Sequence, residues 1–218
     1  MVHVADPELG LAARVRALTR ADHEAAETTS FVTDLMAGRL DVAAYARLAS
    51  QHYFIYEALE RGGDALRTDP VAGDFVGFGL ERLPAIAADL GHLRGPSWRS
   101  EVTPLPATRD YLARLGAAAA DPPSFVAHHY TRYLGDLSGG QLVRKALQRK
   151  YGLGADGTSF YDFPGVAVGA VKRRYRELLD AAPWSATEQD RFIDEVRSAF
   201  ALNRAVFEAL AAQPAEAA

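Results

Sequence analysis

The feature that most restricts the fold of this chain is a stripe of large residues three or four apart: Val42, Tyr45, Leu48, His52, Tyr56 and Leu59. That spacing lines one face of a helix, whereas a half-buried strand would need strict alternation. Asp41 immediately before it can accept a hydrogen bond from a free backbone N–H of the first turn. The stripe therefore predicts a long helix that starts after Asp41 and stops at Gly62-Gly63. Similar signals recur. Asp6-Pro7, Asp69-Pro70 and Asp121-Pro122 each pair a capping side chain with a proline whose missing N–H does no harm at a first helical position. Ser185 with Glu188 fits a capping box, and Phe192, Val196, Ala199, Phe200, Asn203 and Phe207 continue at helical spacing. The valine-rich piece 165–171 runs into KRRYRELLD, whose charges are also spaced for a helix. The expectation is an all-α fold. Stretches 90–106 and 151–160, rich in turn formers, read as connections. With 218 residues, 49% of them hydrophobic, one sizeable core and a single domain over 1–218 are expected. The ends, about 1–6 and 212–218, are expected to fray.

Composition excludes more than it assigns. The absence of cysteine removes disulfide frameworks and thiolate metal sites. A formal charge of −4 argues against a general nucleic-acid binder. The N-terminus, interrupted by Asp6 and Pro7, does not read as a signal peptide, and no run reaches the ~18 apolar residues of a membrane span. A cytoplasmic, soluble monomer with no membrane partner is expected.

The segment HHYTRYLGDLSGGQ, His128 to Gln141, works against its own helical setting. Each glycine in a helix interior costs roughly 0.5–1 kcal/mol relative to alanine, yet Gly135, Gly139 and Gly140 fall within six residues. Gly135 and Gly139 share a face and make a strip without side chains, where a flat ligand can touch the backbone. The pair Gly139-Gly140 is also a place for a kink. One position round runs His128, Arg132 and Asp136, in which Arg132 and Asp136 have the spacing of an ion pair. The plain alternative is close helix packing beside a solvated surface acid.

Histidines raise a second question. In TRADHEAAETTS, His23 and Glu27 are four apart on one face, and Arg16 lies two turns earlier. A metal-bound imidazole usually gives its second N–H to an acceptor such as Glu27. His52 competes for that role, while His128 and His129 point about 100° apart and cannot both face one pocket. Spacing alone does not choose among them. Lys172 and Arg176 share a helix face and suit paired carboxylates, unless they simply form a solvated surface.

Together these elements resemble the haem oxygenase family. The resemblance runs from LTRADHEAAETTSFVTDLMAGRL through HYFIYEALE and HHYTRYLGDLSGGQ to FYDFPG, YRELL and AFALNRAVF, in family order. It implies haem b as both substrate and cofactor, lying between a proximal N-terminal helix and a kinked, glycine-rich distal helix. His23 matches the axial iron ligand, with Glu27 near its other nitrogen. Arg16, Tyr130, Lys172 and Arg176 match residues on the propionate side. Gly135 and Gly139 match the glycines over the haem face, and Asp136 matches the distal acid that organises water near dioxygen. Tyr56, Arg132 and Asn203 match its hydrogen-bond network, and Phe200 falls in the pocket wall. The segment between Phe163 and Lys172 is one residue shorter than in some relatives, which leaves the match of Lys172 looser than that of Arg176.

The implied reaction is oxidation of haem by dioxygen and external electrons to biliverdin, carbon monoxide and ferrous iron. A ferredoxin or flavoprotein reductase is the implied donor, since the chain has neither a glycine-rich dinucleotide fingerprint nor cysteines for an iron–sulfur cluster. Two other classes remain at this stage, a non-catalytic haem carrier or sensor and a helical interaction bundle. A ferritin-like di-metal site would expect two Glu-x-x-His motifs, which are absent.

Overall fold

The computed structural model describes residues 9–213, and among these there are helices and turns but no strand. The helices in chain order are α1 (Leu11–Leu18), α2 (Arg20–Glu27), α3 (Ser30–Ala37), α4 (Val42–Leu66), α5 (Ala72–Val76) and α6 (Leu83–Arg94). They continue as α7 (Trp98–Glu101), α8 (Pro106–Ala118), α9 (Pro122–His129), α10 (Gly135–Tyr151), α11 (Val168–Ala181) and α12 (Ala186–Ala211). A π turn, Tyr130–Leu134, joins α9 to α10, and a 3-10 turn, Ser159–Tyr161, precedes α11. The Asp6-Pro7 helix start and the segments 1–6 and 214–218 lie outside the described residues. Ala212 and Gln213 follow the end of α12 as a turn.

The caps are where the residue types place them. Asp41 accepts from the Ala44 N–H at 2.6 Å, Asp121 accepts from Ser124, and Ser185 with Glu188 closes a reciprocal capping box. Asp69 accepts from the N–H groups of Val71 and Ala72 and so opens the one-turn α5. Such caps are each worth about 1 kcal/mol, enough to fix a helix start but too little to fix how helices pack.

Packing explains one departure from expectation. Gly62-Gly63 does not end α4, which runs on to Leu66. Both glycines are buried, and a Cβ at Gly62 would come within 2.9 Å of Phe125 Cε2 on α9. At Gly63 it would meet Val76 Cγ1 at 3.4 Å on α5. The pair serves close helix contact, and burial of Phe125 and Val76 outweighs its poor helix propensity.

Helix α4 packs on α6 and α8, and α12 packs on α9, α2, α8 and α3. Where α8, α9 and α12 meet, the interior holds charge. Arg114 grips both carboxylate oxygens of Glu195, and His128 Nε2 lies 2.7 Å from Glu195 Oε1. His128 and Glu195 are almost fully enclosed, with side-chain exposures of 0% and 2%. Burial pushes the Glu195 carboxyl up, but its bonds to His128 and Arg114 win and hold it at about 2. His128 is thereby committed to the core.

A carboxyl held below its unfolded value of ~4.3 contributes stability that is complete above that pH and is lost as pH falls toward about 2. Glu195→Gln should therefore flatten the fall in stability between pH ~4.3 and ~2. Urea denaturation midpoints measured across that range check this, and an unchanged slope would show that another group carries the acid sensitivity.

Candidate functional site

Three groups of residues, supplied by different helices, define the site. The first is the glycine strip. A Cβ built on Gly135 or on Gly139 meets no atom within 4 Å, so this face of α10 opens on empty space and not on a packed helix. Gly140 behaves differently, because its Cβ would come within 3.0 Å of Tyr161 Cδ1. Two of the three glycines keep a space clear, and the third makes room for a ring. Gly139-Gly140 lie within the α-helical run of α10, and a π turn, Tyr130–Leu134, immediately precedes that helix.

The second group is a buried polar network beside the strip. Asp136 is 8% exposed, and its Oδ2 accepts a hydrogen bond from the Tyr56 hydroxyl. Arg132 Nε donates to Tyr56 Oη at 3.2 Å, and its Nη1 donates to Asn203 Oδ1 on α12 at 2.6 Å. The expected ion pair between Arg132 and Asp136 is thus replaced by a bridge through Tyr56. The π turn is the reason, since it adds a residue to the spiral and takes positions 132 and 136 out of α-helical register. Burial pushes the Asp136 carboxyl up to about 6, against the opposing pull of Arg132 and the Tyr56 hydroxyl. Such a carboxyl changes protonation close to neutral pH, as a proton-handling group requires.

The third group is cationic. Arg16 closes α1, while Lys172 and Arg176 lie on α11, which packs against α1. Burial raises the Tyr130 phenol, and the charges of Arg176 and Arg16 pull it back. Burial also lowers the Lys172 ammonium, and repulsion from the same two arginines lowers it further. These mutual effects place all four side chains in one neighbourhood. Among the described residues, no carboxylate lies within 4.0 Å of any of the three cations, which leaves them ready for an anion.

Four histidines remain to be placed. His23 on α2 has Nε2 3.3 Å from Glu27 Oε1, and 47% of its side chain is exposed. Its ring stands edge-on to Phe200 of α12, with centroids 5.4 Å apart. A carboxylate thus lies beside one ring nitrogen, as it commonly does for an imidazole that ligates a metal through the other. His52 is enclosed between Tyr56 and Phe160, and burial followed by the charge of Arg132 drives it well below its ordinary value. His129 donates to or accepts from the Tyr175 hydroxyl at 3.0 Å, and burial drives it down to about 3. With His128 held by Glu195, these three belong to the interior.

Sequence spacing paired His23 with Glu27 and set Asp136 beside Gly135 and Gly139, but Arg16, expected two turns before His23 on one face, lies on α1, a separate helix from α2. Spacing did not reveal Tyr161 behind Gly140 or Phe160 against Tyr56, whose ring centroids are 5.0 Å apart. Their only signal was the aromatic cluster FYDF in a loop remote in sequence. An open strip, unpaired cations and an oriented imidazole together suit a flat, metal-containing ligand with carboxylate arms.

Comparison with known proteins agrees with that geometry. The family model described as Heme oxygenase matches residues 9–209. Heme oxygenase 1 of the cyanobacterium Synechocystis sp. is 34% identical over 204 residues, covering 93% of this chain and 85% of that protein. The crystal structure of heme oxygenase-1 from Synechocystis in complex with heme superposes with a TM-score of 0.88, covering 93% of this chain and 92% of that one. Heme oxygenase from Leptospira interrogans, 33% identical, gives a TM-score of 0.86 and covers 92% of this chain and 100% of that one. On its glycine strip, its buried acid and this likeness along nearly its whole length, the chain belongs to the haem oxygenase family of haem-degrading oxidoreductases.

Proposed function

We propose that this chain, acting as a single-domain monomer in the cytoplasm, cleaves haem with dioxygen to biliverdin, carbon monoxide and ferrous iron. The observation that carries the reading is the clear space over Gly135 and Gly139 with the buried Asp136 network directly beside it. Bound haem supplies the iron at which oxygen is activated. A separate ferredoxin or flavoprotein reductase supplies the electrons.

The roles of the side chains follow from their chemistry. His23 holds the iron through a neutral imidazole, and Glu27 fixes the ring by accepting its second N–H. Arg16, Lys172, Arg176 and Tyr130 hold the propionates and so set the rotation of the ring in its plane. Phe200 keeps His23 from turning away, and the bare backbone at Gly135 and Gly139 lets the haem face approach α10. Asp136, held by Tyr56 with Arg132 and Asn203 behind it, orients water and delivers protons on the oxygen side. A carrier would need the cations and His23 but has no use for a buried carboxyl poised near pH 6, which costs stability to maintain.

The direct test is to add haemin and ascorbate in air. Loss of the Soret band with appearance of biliverdin absorption is expected, and a persistent Soret band would favour a carrier. Arg176→Glu should weaken haem binding by roughly tenfold and change the proportions of biliverdin isomers, because a reversed charge repels one propionate. Unchanged affinity and unchanged isomers would remove Arg176 from the site.

Asp136→Ala should leave haem affinity nearly unchanged and reduce biliverdin formation by about 10²–10⁴-fold, the usual worth of a positioned proton transfer. Peroxidase-type oxidation of added guaiacol should rise in its place. Asp136→Asn should be milder, since the amide still holds a water. The carboxylate is the form that accepts from Tyr56, so the parental rate should fall as pH drops through about 6, and the Asn variant should lose that inflection. Biliverdin production by Asp136→Ala at the parental rate would take Asp136 out of the mechanism.

A further inference from the structure

A third buried acid, besides Glu195 and Asp136, stands one layer behind the oxygen side. Asp89 lies on α6, only 1% exposed, and one short loop saturates its carboxylate. Oδ1 accepts from the N–H groups of Gly157 at 3.1 Å and Ser159 at 2.9 Å and also from the Ser159 hydroxyl. Oδ2 accepts from the Phe160 N–H at 2.8 Å. An isolated carboxylate in the interior is costly, and four donors from one loop offset that cost only while the loop keeps this conformation. Asp89 and the loop therefore fix each other.

That loop carries the two rings that back the oxygen side. Phe160 stands edge-on to Tyr56, centroids 5.0 Å apart, and lies 5.6 Å from the His52 ring. Tyr161 fills the space left by Gly140, and its carbonyl accepts from Gln141 Nε2 on α10 at 2.7 Å. Tyr56 is completely enclosed, so its hydroxyl direction is set by the rings around it, Phe160 on one side and Tyr133 on another at 5.6 Å. A displacement of Phe160 is passed to Tyr56, and from Tyr56 to Asp136 through their hydrogen bond.

We propose that Asp89 is a positioning residue for oxygen activation: by clamping residues 157–160 it holds Phe160 against Tyr56 and so aims the Tyr56 hydroxyl at Asp136. The inference rests on the haem-cleaving reading for its catalytic consequence but not for its structural core. It separates Asp89 from an ordinary loop cap, because an ordinary cap would affect melting of the loop and nothing at Asp136.

The informative substitution is Asp89→Asn. The amide oxygen can keep the three donors now on Oδ1, while its NH2 is set against the Phe160 N–H, donor facing donor. In the haem-free protein the Phe160 amide should exchange with solvent roughly tenfold faster. The Asp136 carboxyl, followed by carbon-13 NMR, should titrate higher by roughly half a pH unit, because the Tyr56 hydrogen bond that lowers it is weakened. With haemin and hydrogen peroxide, haem affinity should stay within about twofold, and the ratio of biliverdin to oxidised guaiacol should fall on the order of tenfold. Phe160→Leu, with Asp89 intact, should move the Asp136 titration in the same direction, and the double variant should add little further. It also serves as the test should Asp89→Asn fail to fold. An Asp136 titration unchanged in the folded variants overturns the proposal. If the parent protein makes no biliverdin, the functional reading fails, while the haem-free titration still decides whether Asp89 positions Tyr56.

Discussion

Burying a carboxyl beside an empty strip of backbone is the constraint around which the rest of this protein is arranged. Asp136 is withdrawn from water, and burial alone would discharge it. Tyr56 and Arg132 return enough stabilisation to keep it near neutral pH, and Asn203 in turn occupies the Arg132 guanidinium. These four residues come from α4, the π turn, α10 and α12. A buried hydrogen-bonded network of this kind specifies how its helices dock, because a shift in any one of them leaves a polar group unpaired.

The glycines show how one residue type can serve opposite ends. Gly62, Gly63 and Gly140 are small so that another side chain can come close, whereas Gly135 and Gly139 are small so that nothing of the protein's own does. Both uses carry the same local cost in helix propensity. Only the surroundings distinguish them, and for Gly135 and Gly139 the surroundings are open. The same logic separates the histidines. His52, His128 and His129 are enclosed in the interior, whereas nearly half of the His23 side chain is exposed.

Electrostatics divides the molecule into regions with different tasks. Arg114, Glu195 and His128 form a cluster that ties α8, α9 and α12 together, so the helix leading into the π turn is anchored at its C-terminal end. Among the described residues, Arg16, Lys172 and Arg176 have no carboxylate partner, and the two arginines lower the Lys172 ammonium by repulsion.

The sequence by itself determined the helical class, most helix starts, the glycine strip with Asp136 beside it, and the pairing of His23 with Glu27 and of Lys172 with Arg176 on one helix face. Those features depend on residues three or four apart, which any helix brings together regardless of its neighbours. The capping residues Asp41, Asp121 and Ser185 were legible for the same reason. Tertiary structure decided what local spacing cannot contain. It carried α4 through Gly62-Gly63, because Phe125 packs there from a distant helix, and it joined Arg132 to Asp136 through Tyr56, because a π turn shifts the register. It placed Phe160, Tyr161 and Asp89 behind the network by a loop contact across about 70 residues. It also separated the buried His52, His128 and His129 from the half-exposed His23, since whether an imidazole lies in the core depends on surroundings that are assembled only when the helices pack.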